Sequence, residues 1–120
     1  MTNEEFNEMF RKRTKAFALG VIKFLETVPF NTATRVMSFQ LCKASSSVGA
    51  NFRAYSRGRS KNERFAKICI VVEEADESQY WLEIFVETPY GDKDLLAELL
   101  PESVEIVKVT TSIKASSYPQ

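Results

Sequence analysis

The sequence predicts an all-α fold, an antiparallel up-down-up-down four-helix bundle. Three observations carry that expectation. Apolar residues recur at helical spacing through four stretches of about 25 residues each. Three short breaks separate the stretches: Pro29-Phe30-Asn31, Arg57-Gly58-Arg59-Ser60 and Pro89-Tyr90-Gly91. Elsewhere Gly and Pro are sparse, four of each in 120 residues, so little else interrupts the pattern. Each stretch spans roughly 37 Å at 1.5 Å per residue, and connections this short force neighbouring helices antiparallel. The length suits one domain over residues 1–120, with helices at about 3–27, 32–57, 61–87 and 93–115.

Helix 1 opens at Asn3 as the expected N-cap, with Glu4 and Glu5 at the positive end of the helix dipole. Phe6, Phe10, Phe17, Val21, Phe24 and Val28 fall within about 40° of one direction, a narrow aromatic stripe, before Pro29 ends the helix. Helix 2 carries Met37, Leu41, Ala44, Val48, Phe52 and Tyr55 on its core stripe. Its middle is crowded with small residues (Ser45, Ser46, Ser47, Gly49, Ala50), the natural counterparts of large Phe side chains. A tight turn would set Phe10 level with Gly49 and Phe17 level with Cys42. Gly58 is expected to take the left-handed conformation that closes helix 2, and Ser60-x-x-Glu63 reads as a capping box opening helix 3. Taking Val72 as the centre of the helix 3 core face, Asp76, Gln79 and Glu83 point inward. Arg13 on helix 1 lies at a nearby level, so Arg13, Asp76, Gln79 and Glu83 are a candidate buried polar cluster, of the kind that fixes register. Asp92 caps helix 4, whose face is Leu95, Leu99, Ile106, Thr110 and Ile113; Pro101 predicts a kink or break within it.

Helix 3 has a second apolar stripe on the side away from Val72: Ala66, Ile70, Trp81 and Ile84. A helix with two apolar faces needs a second neighbour, and tryptophan is enriched where subunits meet, so these four are the candidate oligomer interface. The chain is expected to assemble with copies of itself.

The net charge is zero, yet the charges are sorted along the chain. From Arg11 to Lys67 thirteen Lys/Arg face only Glu26 and Glu63; from Glu73 to Glu105 eleven acids face only Lys93. One wall of the bundle should be basic and the other acidic, an arrangement that favours the intended packing and disfavours others. The basic residues thicken at the second break. Arg53, Arg57, Arg59, Lys61, Arg64 and Lys67, opposed only by Glu63, form the candidate nucleic-acid-binding cluster, where each cation could meet a phosphate. Tyr55 and Phe52 lie nearby on the core face, not displayed for stacking.

The chain has no histidine, which removes Ser-His-Asp and Cys-His catalysis, His-based zinc sites and Glu-x-x-His di-iron centres. No phosphate-binding glycine loop is present. No enzyme activity, metal, cofactor or small-molecule substrate is expected. Cys42 and Cys69 read as reduced small apolar residues in helices. No apolar run reaches the roughly 18–20 residues of a membrane span. The acidic N-terminus lacks a signal peptide's basic and apolar regions, so the expected location is cytoplasmic.

The run Ser46-Ser47-Val48-Gly49-Ala50-Asn51, followed by Arg57-Gly58-Arg59-Ser60-Lys61, Phe65 and Glu74-Ala75-Asp76-Glu77-Ser78-Gln79-Tyr80-Trp81-Leu82-Glu83, resembles a bacterial four-helix-bundle family. That family was first noticed as products of intervening sequences in 23S rRNA genes. The resemblance extends over about residues 10–115. One departure is Arg53, where the family often has an acid. The resemblance implies an up-down bundle assembled as a homopentameric ring, with its molecular role generally unassigned. It also implies kinship in fold with the accessory variability protein of diversity-generating retroelements, a basic ring associated with reverse transcriptase and nucleic acid. The expected function is a non-enzymatic, self-assembling bundle that binds RNA or a nucleoprotein through a basic rim. The alternative is a structural or protein-interaction ring that ignores nucleic acid.

Overall fold

The computed structural model describes residues 1–119. It contains α1 (Asn3–Leu25), α2 (Thr32–Ser56), α3 (Lys61–Val86) and α4 (Lys93–Ala115), an antiparallel four-helix bundle with no strand among the described residues. Each helix packs on its two chain neighbours around a square, α1 closing on α4; the diagonal backbones stay apart and meet only through long core side chains, and α1–α4 is the loosest side.

Local capping chemistry sets where each helix begins. α1 is capped by Thr2, not Asn3. Glu5 N–H donates to Thr2 Oγ1 (3.1 Å) and Thr2 N–H donates to Glu5 Oε1 (2.9 Å), a reciprocal box that Asn3, with Phe6 three residues on, cannot make. Donation from the Thr2 N–H, with the Thr2 hydroxyl second, holds the exposed Glu5 carboxyl below its ordinary pKa. Asn31 and Thr34 form a second box at α2. At α3 only half of the expected box is present: Ser60 Oγ accepts from Glu63 N–H (3.0 Å), while the Glu63 carboxylate turns to Arg59. Asp92 accepts from Asp94 and Leu95 N–H to open α4.

α4 runs unbroken through Pro101. The proline sits on the exposed face beside exposed Ala97, so the carbonyl that loses its partner there can be met by water, and no break results. Gly58 does not take a positive φ; Gly91 does, at +84°. Gly58 is instead a matter of room. A Cβ there would stand 2.4 Å from Arg64 Cγ, and Arg64 Nη1 donates to the Gly58 carbonyl (3.1 Å). At Gly91 a Cβ would meet the Phe24 ring at 2.7 Å, so the 87–92 connection lies with its backbone on that ring. Asp92 N–H donates to Thr27 Oγ1 (2.8 Å), tying this connection to the 26–31 turn at the same end of the bundle.

The core is apolar and largely aromatic. Phe10 meets Phe52 edge-on at 4.8 Å, and Phe24 meets Phe85 at 5.1 Å and 87°. The α1–α2 register is therefore about one turn from the expected one: Phe10 lies level with Phe52, and Gly49 with Thr14. Buried Thr14, Ser78, Ser103 and Thr110 hydroxyls all donate to carbonyls of their own helices. No charged side chain is buried among the described residues.

α3 corrects the expected core face. Its buried residues are Ile68, Val71, Ala75, Ser78, Leu82 and Phe85, with Val72 only half-buried to one side. The candidate buried polar cluster therefore does not exist. Asp76 and Glu83 are exposed, and Gln79, half-buried, donates to Glu83 at 3.3 Å. Arg13 goes elsewhere, gripping Glu102 of α4 through Nε (2.8 Å) and Nη2 (2.7 Å). This two-point bond holds the guanidinium protonated more firmly and clips the loosest side of the square. Cys42 and Cys69 are free and half-buried on α2 and α3.

Glu74, half-buried on α3, has its carboxyl pushed above the ordinary value, first by burial, then by Glu77 and Glu73, with Lys43 of α2 opposing. The folded chain holds that proton more tightly than the unfolded chain does. Stability should then fall as pH rises from the ordinary value of 4.5 through the raised folded value. Glu74→Gln is expected to flatten the pH dependence of thermal unfolding in that window and to raise the midpoint at pH ~7.

Candidate nucleic-acid interface

A cationic groove runs between α1 and α2. Its walls and floor come from positions spaced three or four residues apart, which keeps them on one side of each helix. α1 supplies Glu8, Arg11, Lys12, Lys15 and Ala18; α2 supplies Ser46, Gly49, Ala50, Arg53 and Arg57. The groove encloses about 400 Å³. Five cations stand around a floor of small residues, against a single acid.

The two helices come close at Gly49, where a Cβ would lie 3.5 Å from the Thr14 backbone and hydroxyl, an ordinary contact, while the long cations splay outward. Arg11 Nη1 donates to Ser56 Oγ (2.9 Å), which in turn donates to the Arg53 carbonyl (2.8 Å). That chain fixes Arg11 across the groove mouth. Lys12 pairs with Glu8 at 3.6 Å, both well exposed, an ion pair worth little. Among the described residues Lys15, Arg53 and Arg57 have no carboxylate within 4.0 Å and remain free to meet an anion.

The predicted six-residue cluster is divided by the fold. Arg53 and Arg57 belong to this groove. Lys61 and Arg64 instead line a second cavity of about 360 Å³ with Tyr55, Ser116, Ser117 and Tyr118, where α2, α3 and the chain after α4 converge. Arg64 is already committed to the Gly58 carbonyl. Arg59 points to solvent and lies 3.8 Å from Glu63, while Lys67 is half-buried along α3. Sequence reasoning placed the site at the turn and missed Arg11, Lys12 and Lys15. Their signal was present as a run of bases at helical spacing opposite the small-residue stripe.

The predicted interface residues are also divided. Trp81 and Ile84 are half-buried and pack against the chain's own core, with the Tyr80 ring edge-on to Trp81 at 5.1 Å. Ala66 and Ile70 are exposed. Within α1 and α2, Leu19 (57%) and Phe39 (63%) are apolar residues left well exposed. Among the described residues no group of three or more His, Cys, Asp or Glu is arranged to hold a metal ion. No helix there is long and apolar enough to cross a membrane.

Residues 7–112 match the model of a family described as 23S rRNA-intervening sequence protein. The fold is also similar to the crystal structure of a protein with unknown function from the S23 ribosomal protein family of Bacteroides thetaiotaomicron. The two chains are 26% identical, with a TM-score of 0.78 over 91% of this chain and 97% of that one. No curated protein matches the chain.

Proposed function

The chain belongs to the 23S rRNA-intervening sequence protein family, and on that premise we propose that it is a non-enzymatic, self-assembling helical bundle that binds RNA, bare or within a nucleoprotein. The observation that carries this reading is the α1–α2 groove: five cations, one acid, and a floor small enough for a phosphate backbone to approach the helices. Zero net charge does not oppose it, because the balancing acids lie mostly on α3 and α4. Polyanions respond to local potential more than to the total.

Assembly strengthens the reading. In a homopentameric ring, as the family resemblance favours, the groove would be repeated around one rim, and weak contacts would add through effective concentration. A second reading, a protein-interaction ring without nucleic acid, is favoured by the apolar residues Leu19 and Phe39 displayed on the same hairpin.

Fluorescence anisotropy with a labelled single-stranded RNA separates the two. Five phosphate contacts at about 0.7 each give a log–log salt slope near −3.5, so affinity should fall about a hundredfold between roughly 50 and 200 mM salt. No binding at the lower concentration would leave the interaction ring as the better account.

A further inference from the structure

Four of the exposed apolar side chains lie on the α1–α2 hairpin. Leu19 and Ile22 lie one turn apart on α1, as do Val36 and Phe39 on α2, with exposures of 57, 43, 48 and 63%. The register fixed by Phe10 on Phe52 and Thr14 on Gly49, continued along the antiparallel hairpin, sets Leu19 and Ile22 within about a turn of Phe39. They form one apolar area on the outer side of the hairpin, between the basic groove and the 26–31 turn. Exposed Lys23, Arg35 and Lys43 border it.

The solvent side of α3 has the complementary character. Tyr80, 52% exposed and edge-on to Trp81, sits among exposed Glu73, Asp76, Glu77, Glu83 and Glu87. α1 and α3 run in the same direction, and Phe24 against Phe85 sets their relative height. Counting back along both helices, Tyr80 is level with Leu19 and Glu83 with Ile22. The two surfaces thus lie at the same height on different sides of the bundle. A copy rotated about an axis parallel to the bundle would bring one to the other without sliding.

We infer that the outer α1–α2 face, apolar with a basic border, docks the acidic, Tyr80-bearing α3 face of a second copy. This rests on the self-assembly part of the function proposed above and names the surfaces that perform it. The contact is heterologous: each copy uses a different face toward each neighbour, so it repeats until a ring closes. Charge sets the pairing, since basic against basic or acidic against acidic would repel. It also leaves the groove at the other end of the hairpin open.

Phe39→Glu and Tyr80→Glu test it, because both side chains are exposed and the fold should keep its helical circular dichroism. By light scattering at micromolar concentration, the native chain is expected to form an oligomer and each variant to run as a 13.7 kDa monomer. Mixed together, the variants should form a 1:1 pair and stop there, because Phe39→Glu keeps an intact α3 face and Tyr80→Glu keeps an intact α1–α2 face. Either variant retaining the native mass overturns the assignment of faces. Two monomeric variants that do not pair overturn the head-to-tail contact. A monomeric native chain overturns the self-assembly reading itself.

Discussion

Replacing Phe85 by alanine is expected to lower the free energy of unfolding by about 3–5 kcal/mol, the range for deleting a buried phenylalanine side chain. Phe85 is fully buried and meets Phe24 edge-on at 5.1 Å. The site cannot easily collapse around the missing ring. Phe24 is held from behind by the Gly91 backbone, and the chain at Phe85 is pinned through its carbonyl, which accepts from Lys93 Nζ (2.8 Å). A cavity that stays open costs more than one that closes. Because a domain of this kind has only about 5–15 kcal/mol in hand, the loss takes a large share of it. The thermal midpoint should drop by roughly 15 °C. Urea unfolding should show a lower midpoint with an unchanged slope, marking a loss of stability and not a change in the unfolded chain.

The same region shows what the amino-acid pattern could and could not reveal. The aromatic stripe on α1 announced itself, because Phe10, Phe17, Val21 and Phe24 leave no other face to bury. α2 was equally plain, and α4 nearly so. α3 was not: its apolar residues are spread around the axis, and its actual core face includes Ala75 and Ser78, which no hydrophobic pattern marks. They are buried because bundles need small residues where helices approach closely, a property of the partner helix and not of α3 alone. That rotation explains the loss of the Arg13–Asp76 cluster and the partial burial of Trp81. Gly58 and Gly91 illustrate a related limit. Both sit in breaks, but only the neighbours, Arg64 in one case and Phe24 in the other, decide which needs room and which needs a positive φ.

The candidate site was legible in kind and misplaced in position. Counting charges found the basic half of the chain, yet adjacency in sequence drew the cluster around the Arg57–Ser60 turn. Helical geometry distributes consecutive bases to different sides, and the α1–α2 register gathers others from a distance of some forty residues: Arg11 reaches Ser56. The sorted charges then have two separable uses. At one end of the hairpin the cations surround a small-residue groove; toward the other they border an apolar surface whose counterpart is acidic.

The groove assignment carries the second large expected effect. An Arg11→Ala/Arg53→Ala/Arg57→Ala variant should bind single-stranded RNA at least on the order of a hundredfold more weakly at low salt, since a charge-assisted contact to phosphate is worth roughly 1.5–3 kcal/mol and such losses are seldom fully additive. Its log–log salt slope should flatten by about 2, three contacts at 0.7 each. An Arg59→Ala/Lys61→Ala/Lys67→Ala variant removes the same charge from the neighbouring turn and helix, outside the groove, so a general loss of positive potential would weaken both alike. The groove predicts that the second variant loses only a few-fold, through long-range attraction, and keeps most of the slope. Arg53 and Arg57 are exposed, and Arg11 contributes one hydrogen bond to Ser56, so the first variant should fold with a midpoint close to the native chain's. If the turn variant instead lost the binding and the groove variant kept it, the site would return to Arg59, Lys61 and Lys67, with the α1–α2 groove reduced to a solvated seam between two helices.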